Sequence, residues 1–407
     1  MTDFSPQRSQ RNTEERKTLC SSAPSSEAGD TNLPDWLNPE PWLHLTTEVD
    51  DAAIQRAIHC TEPTERELAA LLSPEAANHL EAMAQKAQAI TRRHFGRTIK
   101  LYTPLYLSNF CNGGCLYCGI AADRRAKRAV LDEAQLRHEM DAIKAMHLEE
   151  LVLLTGERMP EADVPYLKQC VSIAAEYIHN VNIEVFPMPE NEYRELAQAG
   201  CTGVTLYQET YDQDVYEKMH RWGDKRDFFA RLDAPDRALK GGLRTIGIGA
   251  LLGLADPRFD LLCVYRHAKY LLKHYWQAGV SISFPRIQPQ LGGFQADYPV
   301  DEKMLAQFIF ALRIVLPEIP LVLSTREAAR VRDGMAGLGI SKMSVASKTT
   351  VGGYSDDIED STEQFSISDE RNISEFCDML RAKGLEPVFK NWDATYRESA
   401  SYMKPEA

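Results

Sequence analysis

Short apolar runs alternate with segments of helical periodicity from residue 97 onward, and this alternation limits the possible folds more than any other feature. The runs are typical of buried parallel strands, and the segments between them carry apolar residues at helical spacing. Eight such units close a (β/α)8 barrel of the TIM type, an α/β fold, whereas an open doubly wound sheet is the structural alternative. The strand candidates are residues 99–107, 150–155, 181–186, 203–208, 244–252, 280–284, 320–325 and 343–347.

The predicted barrel occupies only part of the chain. The first residues are rich in serine and charge and poor in apolar side chains, so they cannot bury enough surface to fold. The last region is predicted to hold a loop, a helix around residues 370–383 and an irregular end. The predicted regions are a disordered tail (1–33), an N-terminal helical extension (34–96), the barrel (97–349) and a C-terminal region packing on the barrel (350–407).

Two local signals predict helices before the barrel. Thr64 followed by Glu67 fits a capping box, in which each residue hydrogen-bonds to the backbone of the other. Ser73 with Pro74 at the first helical position opens a longer helix, which is expected to end near Gly96.

Charge and composition exclude several classes of protein. The 407 residues hold 46 Lys and Arg against 59 Asp and Glu, a formal charge of −13, so nucleic acid is not expected as a partner. No run approaches the roughly 18 apolar residues of a spanning helix, and the start lacks the apolar core of a signal peptide. We therefore expect a cytoplasmic protein with no membrane partner. The nine cysteines are too sparse and odd in number for a disulfide scaffold.

Three of the cysteines are clustered. Cys111, Cys115 and Cys118 have the spacing C-x3-C-x2-C directly after the first predicted strand. Structural zinc needs four protein ligands, and no fourth Cys or His lies nearby in the sequence. A [4Fe-4S] cluster explains the count better, because three cysteines leave one iron open for a cofactor. A zinc site and a chance group of buried thiols remain the alternatives.

The cysteine spacing, with the aromatic Tyr117 before the last cysteine, resembles the signature of the radical S-adenosylmethionine (SAM) superfamily. The resemblance implies that the amino and carboxylate groups of SAM bind the open iron. An electron from the cluster then splits SAM into methionine and a 5′-deoxyadenosyl radical, which takes a hydrogen atom from the substrate.

Polar residues at two strand ends fit this cofactor. Thr155-Gly156-Glu157 stands where the superfamily has its Gly-Gly-Glu motif, so the resemblance assigns these residues to the ammonium group of SAM. Glu209, after the fourth strand, is a candidate acceptor for the ribose hydroxyls. A solvated glutamate and a polar residue at the barrel mouth are the alternative interpretations.

Later strands supply further candidates. Gly247 and Gly249 are similar to the superfamily's glycine-containing fifth strand beside the adenine, although glycine also relieves crowding in a barrel. Arg286 is a candidate for cofactor binding. Arg326, with Ser344, is a candidate anchor for a substrate carboxylate, because a guanidinium matches a carboxylate in shape. A structural ion pair is the alternative for each arginine.

Several longer segments resemble one group within the superfamily, the tyrosine lyases of thiamine thiazole biosynthesis. They span about residues 70–395 and include LYTPLYLSNFCNGGCLYCG, VTLYQETY, HYWQAGVSISFPRIQP and SVASKTTVGGY. The resemblance implies cleavage of the Cα–Cβ bond of L-tyrosine, which yields 2-iminoacetate and p-cresol. It also implies thiazole synthase as a protein partner and an electron donor such as flavodoxin or ferredoxin.

Two other functions remain open. Tyrosine lyases of hydrogenase maturation carry a second cluster in a C-terminal domain, but this chain has only Cys377 after Cys263. The second alternative, of a different class, is a non-catalytic protein that holds a structural metal in the cysteine loop.

Overall fold

The structure is a computed structural model that describes residues 33–355 and 361–389. Apart from Leu33, the predicted disordered tail lies outside the described residues, and so do residues 390–407. In the ranges that are described, no helix is both long enough and apolar enough to cross a membrane.

Eight parallel strands form a closed barrel. β1 pairs with β8 through Lys100–Tyr102 and with β2 through Thr103–Tyr106, so the sheet has no open ends and the doubly wound alternative is wrong. All eight predicted strands are present, with bounds shifted by a few residues. The eight barrel strands are β1 Thr98–Tyr106, β2 Glu150–Leu154, β3 Asn180–Glu184, β4 Cys201–Thr205, β5 Thr245–Gly249, β6 Gly279–Ser283, β7 Leu321–Leu323 and β8 Lys342–Ser344. A ninth strand, β9 Glu386–Val388, follows in the C-terminal region.

Helices connect the strands, and further helices precede the barrel. Three short 3-10 segments lie at His44–Thr46, Pro74–His79 and Asp224–Arg226. The α-helices are α1 Glu40–Leu43, α2 Asp51–His59, α3 Glu65–Leu72, α4 Leu80–Phe95, α5 Glu133–Ala145, α6 Val164–Tyr177, α7 Glu190–Ala199, α8 Gln213–Met219, α9 Phe228–Leu232, α10 Ala234–Lys240, α11 Pro257–His274, α12 Glu302–Val315, α13 Ala329–Met335 and α14 Ile373–Ala382.

Burial follows from this layered arrangement. Every residue of β2 is buried, as expected for a strand with the barrel interior on one face and helices on the other. From Leu305 to Val315, α12 is buried all round, because it lies between the barrel and the N-terminal helices α3 and α4. The N-terminal extension therefore packs directly on the barrel.

The helix signals before the barrel are confirmed with one difference. The Thr64 side chain accepts a backbone hydrogen bond, and the Glu67 carboxylate accepts from the Thr64 N–H at 2.8 Å, which completes the capping box. Ser73 opens a 3-10 segment, Pro74–His79, that continues into α4, where the sequence predicts one α-helix. Gly96 ends α4 with a φ of 64°, a value that favours glycine.

The C-terminal region adds a strand that the sequence does not reveal. α14 confirms the predicted helix, but Glu386–Val388 then pairs in parallel with Thr98–Lys100 where an irregular end was expected. β9 and β2 share one edge of β1: β9 pairs with the first residues of β1, and β2 pairs with its last residues. The opposite edge of β1 pairs with β8, since Lys100 has partners in both β8 and β9. Pro387 weakens the strand signal, since proline cannot donate a ladder hydrogen bond.

Candidate active site

The three clustered cysteines lie in the loop between β1 and α5 and line one cavity at the carboxyl end of the barrel. The backbone N–H groups of Gly113 and Glu157 each donate to the Cys111 sulfur at 3.4 Å. Burial raises the pKa of the Cys111 thiol to about 11, and it also raises the pKa values of Cys115 and Cys118. Metal binding must therefore displace protons from these thiols.

In the cysteine loop, Gly114 is needed for space and neither glycine for an unusual backbone angle. Neither Gly113 nor Gly114 has a positive φ. A Cβ on Gly113 would stand 3.5 Å from the sulfur atoms of both Cys111 and Cys115, so the bare backbone lies between the two thiols. A Cβ on Gly114 would stand 2.5 Å from atoms of the Trp222 ring, which packs on the loop.

The donor set fits an iron-sulfur cluster better than a single ion. Within residues 33–355 and 361–389, no three His, Cys, Asp or Glu side chains converge closely enough to hold one metal ion. The thiolates of a [4Fe-4S] cluster each bind a different iron, so they surround the cluster and do not meet at one point. The zinc alternative requires ligands that converge on one ion, and the described residues do not offer them.

Two carboxylates at the strand ends are joined by one buried arginine. Arg231 Nη1 donates to Glu157 Oε1 at 3.2 Å, and Nη2 lies 3.7 Å from Glu209 Oε1. Lys225 Nζ also donates to Glu209 Oε1, at 2.7 Å. Burial acts to raise the pKa of Glu209, but Lys225 and Arg231 outweigh it and the pKa is lowered. Glu209 therefore stays ionised in the cavity.

Glu157 retains a free acceptor. Its Oε2 atom is buried and has no hydrogen-bond partner among the described residues. A buried carboxylate oxygen of this kind needs a donor, and the amino group of SAM is a chemically suitable one. The structure thus brings Glu157 to the cysteines, as the sequence predicts.

The other residues predicted near the cysteines also line this cavity. Thr155 and Gly156 lie at the end of β2, where the Thr155 hydroxyl donates to the Gly156 carbonyl at 3.0 Å. The Tyr117 hydroxyl lies 2.8 Å from Nε2 of His220. Nδ1 of that histidine lies 2.7 Å from the Tyr216 carbonyl, so Nδ1 donates and Nε2 accepts from Tyr117.

A second cavity, here called the inner cavity, lies deeper in the barrel and shares a wall with the first. Arg326 lines both, and among the described residues its guanidinium has no acidic partner. Its central carbon lies 3.3 Å from the centroid of the Phe365 ring. Ser344 also lines the inner cavity, where its hydroxyl accepts from the Thr325 N–H at 3.0 Å. The Ser347 hydroxyl is buried there without a partner in the described ranges.

Three predicted cofactor residues are not brought to the cysteines. Arg286 donates to both carboxylate oxygens of Glu327 and to the Val300 carbonyl, so it forms the structural ion pair that the sequence left as the alternative. Gly247 lines a third cavity, which extends from the inner cavity toward the amino end of the barrel. A Cβ on Gly249 would stand 2.6 Å from the Ser283 carbonyl, so glycine here relieves crowding between strands.

Several residues of the site carry no signal in the sequence. Lys225 and Arg231 come from the helical segment between β4 and β5, and Glu184 ends β3. Gln364, from the C-terminal region, donates to the Cys118 sulfur at 3.8 Å, and its neighbour Phe365 packs on Arg326. Arg231 lies in the segment DFFARLDAPDRA, and nothing in the spacing of that segment reveals that Arg231 contacts residues at two strand ends.

Known protein families match the two halves of the barrel. Residues 105–261 match the Radical SAM superfamily, and residues 283–386 match the Biotin and Thiamin Synthesis associated domain. The chain is 44% identical to 2-iminoacetate synthase of Escherichia coli over 84% of its own length and 91% of that protein. The chain belongs to the 2-iminoacetate synthase family of radical SAM enzymes. The predictions of a radical SAM lyase, a [4Fe-4S] cluster and SAM are thereby confirmed.

Solved structures agree with membership of the 2-iminoacetate synthase family. A crystal structure of HydG, a maturase of the [FeFe]-hydrogenase, is 28% identical with a TM-score of 0.83, covering 90% of this chain and 83% of that one. HydG from Carboxydothermus hydrogenoformans is 30% identical with a TM-score of 0.78, covering 88% and 82%. Both identities are below that to 2-iminoacetate synthase, so the hydrogenase-maturation alternative fits less well.

Proposed function

We propose that the chain cleaves L-tyrosine between Cα and Cβ and releases 2-iminoacetate and p-cresol for the thiazole ring of thiamine. The observation that carries this proposal is the junction of two cavities at Arg326. One cavity holds the three cysteines, and the inner cavity is lined by aromatic and hydroxyl side chains whose polarity suits tyrosine.

Each cavity has residues for its own ligand. Cys111, Cys115 and Cys118 would hold the cluster, and Glu157 would accept a hydrogen bond from the amino group of SAM. Glu209 would face the ribose, with its charge maintained by Lys225. When bound, the cluster and SAM supply the radical that takes a hydrogen atom from the amino group of tyrosine.

The substrate is held by groups of the inner cavity. Arg326, which has no acidic partner in the described ranges, would bind the carboxylate of tyrosine through its two-pronged guanidinium. Ser344 lies beside it, with its hydroxyl fixed by the Thr325 N–H. Ser347 offers a buried hydroxyl without a partner in these ranges, which suits a polar group of the substrate.

Anaerobic incubation with tyrosine, SAM and a chemical reductant tests the reaction. We expect 5′-deoxyadenosine, p-cresol and glyoxylate, the hydrolysis product of 2-iminoacetate, in equal amounts. Deoxyadenosine without p-cresol would reject tyrosine as the substrate. Arg330→Met is the control for a substitution of arginine outside the site, because Arg330 is 79% exposed in its ion pair with Glu302. This variant should leave the yield unchanged, whereas Arg326→Met should lower it.

The protein partners are further proposals. Because 2-iminoacetate hydrolyses in water, direct transfer to thiazole synthase protects the product, and an anaerobic pull-down with purified thiazole synthase tests it. Flavodoxin or ferredoxin is the proposed electron donor, and support comes from the partly exposed Trp222, which places the cysteine loop near the surface. Replacing the chemical reductant by reduced flavodoxin should sustain turnover. Cytoplasmic location stays a prediction, which cell fractionation tests.

A further inference from the structure

The carboxylate of Glu184 stands where the two cavities meet. Glu184 is the last residue of β3, and its side chain lines both the cysteine cavity and the inner cavity. Arg326, from the loop after β7, lines the same two cavities. Among the described residues, the Glu184 carboxylate has neither a hydrogen bond nor an ion pair, although it lies in the barrel interior. Glu184 is only partly buried, because its side chain faces the two cavities, so the carboxylate is accessible to a ligand.

The surroundings of Glu184 raise the pKa of its carboxyl toward neutrality. Burial raises the pKa of Glu184 to about 7, while the nearby Arg326 guanidinium acts in the opposite direction. The charged and titratable groups that face it come from four other parts of the barrel. They are Tyr102 and Tyr106 on β1, Tyr207 and Glu209 after β4, Lys225 and Arg231 in the following helical segment, and Arg326 after β7.

The other titratable groups of the two cavities are poor proton acceptors. The pKa of Glu209 is lowered, because Lys225 and Arg231 outweigh its burial. Burial raises the pKa values of Tyr106 and Tyr207 well above their ordinary value, so both remain neutral phenols. Glu184 is the one carboxylate of the described cavity walls that has no cation bound to it.

The reaction requires a proton acceptor at this place. Tyrosine reaches the enzyme with its amino group as an ammonium ion, whose nitrogen has no free electron pair. Loss of a proton must therefore come before a hydrogen atom is taken from that nitrogen. If Arg326 holds the substrate carboxylate, the amino group on the same Cα is held close to Arg326 and hence close to Glu184.

We propose that Glu184 is the general base that deprotonates the ammonium group of the substrate before the radical step. One N–H bond breaks, its electron pair stays on nitrogen, and the proton forms an O–H bond with the Glu184 carboxylate, so no oxidant or reductant is needed. The neutral amine then faces the cysteine cavity. This assignment rests on the proposed function, because it needs an amino-acid substrate anchored at Arg326.

Glu184→Gln in the cluster-loaded protein tests the assignment, because glutamine keeps the shape and cannot accept the proton. We expect kcat for p-cresol to fall by roughly 10²- to 10⁴-fold, the usual contribution of a general base. Iron and sulfide content and SAM affinity should be unchanged. Glu190→Gln is the matched control, since Glu190 lies on the surface of α7 and pairs with Arg194.

The pH profile separates a base from a merely structural residue. In the wild type, kcat/KM should rise with pH through the region around neutrality as Glu184 loses its proton. In Glu184→Gln that limb should be absent, and the defect should shrink at alkaline pH, where solution supplies the neutral amine. Glu184→Asp should restore part of kcat. The pH at which the rate of this variant levels off should lie within about one unit of the wild-type value.

Two outcomes would count against different claims. An active wild type with a Glu184→Gln variant of normal kcat and normal pH profile would overturn the role of Glu184 and leave the proposed function standing. A wild type that forms deoxyadenosine but no p-cresol would instead reject the proposed substrate.

Discussion

Arg231 Nη1 donates to Glu157 Oε1 at 3.2 Å, which leaves Glu157 Oε2 buried and without a partner among the described residues. One oxygen of the carboxylate is thus fixed by the protein, and the other is held ready for a donor. Because the fixed oxygen orients the free one, SAM bound as proposed would meet an acceptor whose position is set before binding. Glu157 and Arg231 come from segments far apart in the chain, and only the barrel brings them together.

Glu157→Gln should weaken the binding of SAM. Glutamine preserves the acceptor toward Arg231 but removes the negative charge that an ammonium group needs. Hydrogen bonds to charged groups contribute about 1.5–3 kcal/mol, so we expect a roughly ten- to hundredfold loss of affinity. Equilibrium dialysis of cluster-loaded protein with SAM measures this. Glu176→Gln, in a surface ion pair with Arg137, is the control, and equal affinity of both variants would contradict the role of Glu157.

Alanine at any one of Cys111, Cys115 or Cys118 should abolish cluster assembly and turnover, because each thiolate is expected to bind a separate iron. Iron and sulfide analysis after anaerobic reconstitution measures the loss. Cys60→Ala is the control, since Cys60 lies after α2, outside the residues that line the site. Normal turnover of any of the three variants would refute the ligand role of that cysteine.

Gly156→Ala should disturb the cysteine loop. The added Cβ would overlap the Phe110 carbonyl and stand 2.6 Å from the Cys111 Cβ. Overpacking of this kind costs roughly 1–3 kcal/mol, so we expect a lower melting temperature and poor cluster retention. The control is Gly334→Ala in α13, where the new methyl group meets nothing within 4 Å. Equal melting temperatures and cluster contents for the two variants would be inconsistent with the close contact.

Arg286 and Arg326 should respond differently to replacement by methionine. Arg286→Met leaves the buried Glu327 without its partner, which costs roughly 3–5 kcal/mol of stability. Arg326→Met should barely change stability and should raise KM for tyrosine about tenfold or more, because a charged contact to the substrate is lost. Thermal unfolding and steady-state kinetics of both variants measure the contrast. An unchanged KM in Arg326→Met would reject its anchor role.

Asp260 predicts a pH dependence of stability. It is buried at the start of α11 and accepts from the Tyr211 N–H at 2.7 Å and the Thr210 hydroxyl at 3.0 Å. Burial raises its pKa to about 7, above the ordinary value of about 3.9 in the unfolded chain. Between these values the folded state binds more protons, so the stabilising contribution of Asp260 is lost as pH rises through about 7.

Asp260→Asn removes this titration and keeps an acceptor for both hydrogen bonds. The melting temperature of the variant relative to the wild type should therefore be higher at pH 8 than at pH 5. Asp141→Asn on the exposed face of α5 is the control, and it should follow the wild type at both pH values. A relative melting temperature of Asp260→Asn that is the same at pH 5 and pH 8 would contradict the burial effect.

Features that depend on neighbouring residues could be predicted from the sequence. The alternation of strands and helices indicates the barrel, the capping box at Thr64 and Glu67 marks the start of α3, and the spacing of three cysteines identifies the cluster loop. In each case the physical signal is local, because periodicity, capping and ligand spacing act within a few residues. β9 escaped prediction because its stability comes from pairing with the distant β1.

The tertiary structure alone decided which polar groups meet at the site. Arg286 and Arg326 both follow barrel strands, but the first is neutralised by Glu327, whereas the second lines both cavities without an acidic partner in the described ranges. Glu184 belongs to no sequence motif. The role proposed for it depends on its position at the end of β3, where the two cavities meet. By itself, the sequence determined the elements of the barrel and the candidate cluster ligands. Charge pairing and burial depend on distances through space between strand ends, and only the closed barrel sets those distances.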